Sequence, residues 1–152
     1  MPEPLSAHPG LSLGHAVLRV SDLERALAFY RDALGLVEVA RHRGMVFLSG
    51  GERHHDLALI ESRSLRRDAS DRLPGLHHLA FRVGDDLDTL RTVRDRLRDM
   101  GIPILGTSDH RVSQSLYLCD PDGVLIELYV DADPAIWRAD PAAVAHVGPL
   151  EL

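Results

Sequence analysis

The chain carries its own outline twice. LSLGHAVLRV, residues 11–20, and LPGLHHLAFRV, residues 73–83, align His15 with His78, Arg19 with Arg82 and Val20 with Val83. Each opens an alternating apolar run, the pattern of a half-buried strand. A helix-spaced segment follows each, ended by a glycine, and three more strand-like runs follow that. The offset is 63 residues at the histidines. It becomes 66 at the helix stops, Gly35 and Gly101, and at Leu59-Ile60-Glu61 against Leu125-Ile126-Glu127. Agreement at strand, helix, stop and final strand marks two copies of one supersecondary unit, each too small to bury a sheet face alone.

The expected fold is therefore α+β: two tandem βαβββ modules forming a curved, cup-like mixed sheet of about eight strands with helices outside. Residues 1–12 read as a leader, 13–61 as the first module, 62–75 as a linker, 76–131 as the second module and 132–152 as a Pro- and Ala-rich tail. In the first module the spacing predicts a strand over 13–20. A helix follows, started by the capping box Ser21-x-x-Glu24 and stopped at Gly35, then strands near 36–41, 45–49 and 55–61. In the second it predicts a strand over 76–83, a helix capped by Asp85 or Asp86 and stopped at Gly101, and strands near 102–106, 112–119 and 124–130.

Composition removes several classes of function. The formal net charge is −6 over 152 residues, which argues against nucleic acid and anionic membrane surfaces as partners. No run approaches the roughly 18 apolar residues of a membrane span, and residues 1–12 lack the basic and apolar regions of a secretory signal. The single cysteine, Cys119, excludes an internal disulfide framework, fits a reducing cytoplasm, and reads as a small packed residue with no activating base beside it. Exposed strand edges predict a homodimer.

Nine histidines are the chemical excess of the chain. Strand alternation puts His15 on one face with Val17 and Arg19, and His78 with Ala80 and Arg82. Approximate two-fold symmetry would set His15 and His78 facing each other across the cup. Glu127, inside the apolar run GVLIELY, is costly to bury unless paired or bound to a cation. Two imidazoles and one carboxylate with other positions open form the facial triad suited to non-haem Fe(II); Mn(II) accepts the same ligands. Arg19 and Arg82 read equally as lining of the cup or as surface.

These residues resemble the vicinal oxygen chelate superfamily, which includes glyoxalase I, fosfomycin-resistance proteins and extradiol ring-cleavage dioxygenases; the likeness covers roughly 12–131. HRVSQSLYLCDPDGVLIE, residues 110–127, reads H-x5-L-Y-x2-D-P-x-G-x3-E and is similar to the type I extradiol dioxygenase signature. Ser108 stands where that family usually has Gly, Asn, Thr, Ile or Val. The resemblance implies Glu127 and His78 as iron ligands beside His15, His110 and Tyr117 as catalytic residues, and His55, in RHHDLALI, as an acid–base histidine. It implies a catechol-like aromatic diol and O2 as substrates, with Trp137 of the tail as a candidate lid. Two other readings stay open. Glu61, which aligns with Glu127, would as a fourth ligand favour Ni(II) or Zn(II) and a glyoxalase-like isomerase, lyase or thiol transferase. A non-enzymatic aromatic-ligand-binding resistance protein is the third.

Overall fold

The computed structural model describes residues 13–62 and 76–152. The expected leader and linker residues 63–75 lie outside them. The chain divides into two compact units, one before and one after the Leu65–Arg66 boundary.

The first unit contains β1 (Ala16–Val20), α1 (Leu23–Leu27), a π-helical continuation (Ala28–Ala33), β2 (Val37–His42), β3 (Met45–Ser49) and β4 (Leu57–Glu61). Its sheet runs β1-β4-β3-β2, with β1 parallel to β4 and the other pairs antiparallel. Alternation sorts the faces. Leu18, Val20, Val46, Leu48, Leu57 and Leu59 are buried, and the helix that follows β1 contributes Leu23, Ala26, Leu27 and Tyr30 to the same core. A fully buried side chain of this size contributes about 1.5–3 kcal/mol. His15, Val17 and Arg19 are exposed on the opposite face.

The helix starts one residue later than the capping box predicts. Asp22, not Ser21, accepts the Arg25 N–H, at 2.9 Å, and the Ser21 hydroxyl instead accepts from the Arg25 guanidinium. Asp22 has the extended backbone of an N-cap, φ −144° and ψ 114°, and aspartate caps as well as serine. The last turns widen: the Leu34 N–H bonds the Phe29 carbonyl at 3.0 Å. Such a π register accompanies burial of the adjacent Phe29 and Tyr30, whose rings meet edge to face. Gly35 then stops the helix at φ +84°, a left-handed position.

The second unit repeats the order with β5 (His78–Gly84), α2 (Leu87–Asp99), β6 (Gly106–Asp109), β7 (Ser113–Cys119) and β8 (Leu125–Asp131). Its sheet runs β5-β8-β7-β6, with β5 parallel to β8. Of the two candidate caps, Asp86 is the one used, accepting from Thr89 N–H at 2.8 Å. The eight expected strands are thus present as two four-stranded sheets. The strand expected near 102–106 is displaced to β6 at 106–109, because Pro103 has no N–H to give a ladder.

The tail is structured: α3 (Pro134–Ala139) and a short 3-10 turn (Pro141–Ala145) precede an antiparallel bridge between Gly148 and Asp109. Trp137 is 46% exposed and lies beneath the Arg138 guanidinium. Cys119 is exposed rather than packed, because as the last residue of β7 it points away from the face of Leu116 and Leu118. Among the described residues no helix is long and apolar enough to cross a membrane.

Candidate metal centre

In the second unit the face of the sheet away from α2 carries the polar residues. Leu116, Leu118, Ile126, Leu128 and Val130 fill the opposite, core face. That alternation leaves Ser115 and Tyr117 of β7, Glu127 and Tyr129 of β8, and His78 and Arg82 of β5 together. The D-P-D-G segment of the motif builds the turn that sets the register. The buried Asp120 accepts from Asp122 and Val124 N–H groups at 2.9 and 2.8 Å, and Gly123 takes φ +84°. Tyr117 consequently lies directly opposite Glu127 across the ladder.

The Glu127 side chain is only 12% exposed, and every approach to it is polar. His78 Nε2 stands 3.1 Å from Oε2. The Ser115 hydroxyl donates to Oε1 at 2.5 Å, and the Tyr117 hydroxyl lies 3.2 Å from the same oxygen. Tyr117 Oη is also 2.6 Å from His110 Nε2, and His110 Nδ1–H donates to the His146 carbonyl at 2.8 Å. Burial, reinforced by the Glu127 charge and hydrogen bond, pushes the Tyr117 phenol up. It therefore stays a proton donor through the neutral range. Its one proton has two acceptors, His110 Nε2 and Glu127 Oε1.

In the first unit the rings of His15 and His55 meet at a 44° tilt with centroids 4.3 Å apart. Phe47 meets His55 edge-on at 5.3 Å. His54 Nδ1 and His55 Nδ1 are 2.6 Å apart. Desolvation, then the neighbouring His15 and His54, push the His55 imidazole below its ordinary value, favouring the neutral base. β4 begins at Leu57, two residues later than expected, so His54 and His55 belong to the preceding loop. That loop position lets His55 join the His15 face although strand parity would oppose it.

Glu61 does not mirror Glu127. The β1–β4 register pairs Val20 with Glu61 and Val17 with Ala58, so Glu61 falls on the side of Leu57 and Leu59, away from the His15 face. In the second unit Ala80 pairs with Glu127. The position in the first unit that corresponds to Glu127 is Ala58.

Arg82 is not a free cation: it is bonded to Asp131 at 2.7 Å and to Asp85. One residue here, Ser115, escaped the sequence reading. Ser115 is two before Tyr117, so strand parity alone places it on the Glu127 face. His77 Nδ1 is 2.8 Å from His78 Nδ1, so one of these two rings donates to the other and the His78 ring is held from behind.

Among the described residues no three His, Cys, Asp or Glu side chains are gathered as a complete metal group. His78 and Glu127 form a pair, and His15 belongs to the first unit. The pair fits a divalent cation by its chemistry. It offers one imidazole nitrogen and one carboxylate oxygen at 3.1 Å, close to the roughly 3 Å between two donors bound at right angles with bonds of about 2.1 Å.

Comparison with known proteins finds relatives of more than one activity. Catechol-2,3-dioxygenase of Bacillus subtilis (strain 168) is 34% identical over 135 residues, covering 89% of this chain and 47% of that protein. The chain thus spans about half the length of this relative. Glutathione transferase FosA of Serratia marcescens is 32% identical over 120 residues, covering 78% of this chain and 80% of FosA. The crystal structure of a glyoxalase/dioxygenase from Nostoc punctiforme superposes with a TM-score of 0.68 at 20% identity, covering 80% of this chain and 92% of that one; at that identity it supports the fold alone. Residues 12–128 match the Glyoxalase/Bleomycin resistance protein/Dioxygenase superfamily, and the chain belongs to that superfamily.

Proposed function

We propose that this protein is an extradiol dioxygenase that inserts O2 into a catechol-like aromatic diol with ring cleavage, using Fe(II) held by His15, His78 and Glu127. The observation that carries this reading is the hydrogen-bonded series His110–Tyr117–Glu127 beside His78. The ion, when bound, supplies adjacent open positions for the diol oxygens and for O2. The protein's own groups handle protons. His55 Nδ1 lies 2.6 Å from His54 Nδ1; with His55 donating in that contact, its Nε2 holds the lone pair that accepts a phenolic proton. Tyr117, held protonated, donates where negative charge grows. His110 receives or returns that proton through Nε2. The resemblance to dioxygenases at 34% identity supports the substrate class.

The isomerase, lyase or thiol-transferase reading has a 32%-identical relative in FosA, but it asks Glu61 for a fourth ligand, and Glu61 is on the wrong face. Anaerobic loading with Fe(II), followed by a panel of catechols in air-saturated buffer, tests the proposal. O2 uptake with a coloured ring-opened product is expected, and both disappear in His78→Ala. Absence of uptake with every catechol overturns it, and metal-independent aromatic binding then favours the resistance-protein reading.

A homodimer belongs to the same proposal. The edge strand β2 leaves Val37 and Val39 58% and 49% exposed, and such edges are usually covered. Light scattering should give twice the chain mass; a monomer at high micromolar concentration refutes it.

A further inference from the structure

We infer that residues 146–150 are a positioning strap that fixes which nitrogen of His110 faces Tyr117. The inference rests on the dioxygenase reading for its catalytic consequence, and on the geometry alone for its structural one.

The strap is laid along β6, the outer strand of the second sheet. Asp109 N–H bonds the Gly148 carbonyl at 3.0 Å, and Gly148 N–H returns to the Asp109 carbonyl at 2.8 Å. Two side chains of β6 bind the same segment: Thr107 Oγ1 donates to the Leu150 carbonyl at 2.6 Å and Ser108 Oγ to the Gly148 carbonyl at 3.3 Å. These four bonds hold the His146 carbonyl against His110 Nδ1. A carbonyl only accepts, so Nδ1 carries a proton. In the neutral ring Nε2 is then the lone pair, and it meets the Tyr117 hydroxyl at 2.6 Å. Without the strap the imidazole is free to sample both tautomers, and the wrong one presents an N–H to a phenol that must itself donate.

His146 is thus a positioning residue acting through its backbone, so changing its side chain does not test the role. Deletion of residues 146–152 does. None of these side chains is buried, so the core survives the deletion. Long-range 15N–1H correlation spectra of the metal-free protein, with His110 assigned by its loss in His110→Gln, read the tautomer directly. The full chain is expected to show Nδ1–H, and the deletion a mixture of both forms. With Fe(II) bound to the same stoichiometry, the deletion should lower kcat about tenfold or more and leave KM nearly unchanged. Gly148→Pro removes the Gly148 N–H and keeps the length. A β-carbon there would come within 2.8 Å of the His146 ring. It should shift the tautomer in the same direction. An unchanged His110 tautomer in both variants overturns the strap. A shifted tautomer with unchanged kcat overturns its catalytic role. If the full chain turns over no catechol, the dioxygenase reading fails and the spectra still decide the strap.

Discussion

Glu127→Ala is expected to leave a protein that retains no iron after dialysis and shows no measurable ring cleavage. Loss of an outer-shell partner of a metal site costs about 10–100-fold, and removal of a ligand costs more. The variant also has a structural penalty. Tyr117 keeps His110 as its acceptor, but the buried Ser115 hydroxyl loses Glu127, and a buried donor left unpaired costs about 1–3 kcal/mol. Glu127→Gln separates the two effects. Its amide oxygen still accepts from Ser115, so most of the stability returns, but the negative charge that a divalent cation needs does not. Iron content by metal analysis, with the urea midpoint alongside, checks both halves. Full iron occupancy in Glu127→Gln would remove Glu127 from the ligand set.

Tyr117→Phe is expected to keep its iron and lose about 100–1000-fold in kcat, the usual cost of deleting one donor aimed at developing charge. The change removes only an oxygen, and Glu127 keeps Ser115 and His78 as partners, so folding and metal binding should hardly move. A single-turnover measurement isolates the chemical step. Wild-type kcat in this variant would mean that the phenol merely fills space between His110 and Glu127, and would weaken the proton series as a whole.

Much of this site could be read from the chain before any coordinates. H-x5-L-Y-x2-D-P-x-G-x3-E is legible because it is local: one hairpin, one turn and a period of two place Tyr117 beside Glu127. The helix stops were equally plain, since Gly35 and Gly101 both need positive φ. What stayed hidden depended on register or on distant partners. Leu59-Ile60-Glu61 looks like Leu125-Ile126-Glu127, yet the pairing of β1 with β4 differs from that of β5 with β8, and a strand's chemistry follows its register. The π turn at Ala28–Ala33 has no sequence marker that distinguishes it from an α-helix. The strap was invisible because its bonds use the backbone of residues some 40 positions away in sequence from β6, and backbone groups are identical in every residue.

Ala58 marks where the two copies part. It pairs with Val17 as Glu127 pairs with Ala80, so equivalent rungs of the two ladders hold a methyl group in one unit and a carboxylate in the other. A methyl group binds neither a proton nor a cation. The first unit therefore offers imidazoles on that face, while the second sets an acid beside an imidazole. Duplicating the frame did not duplicate the charge.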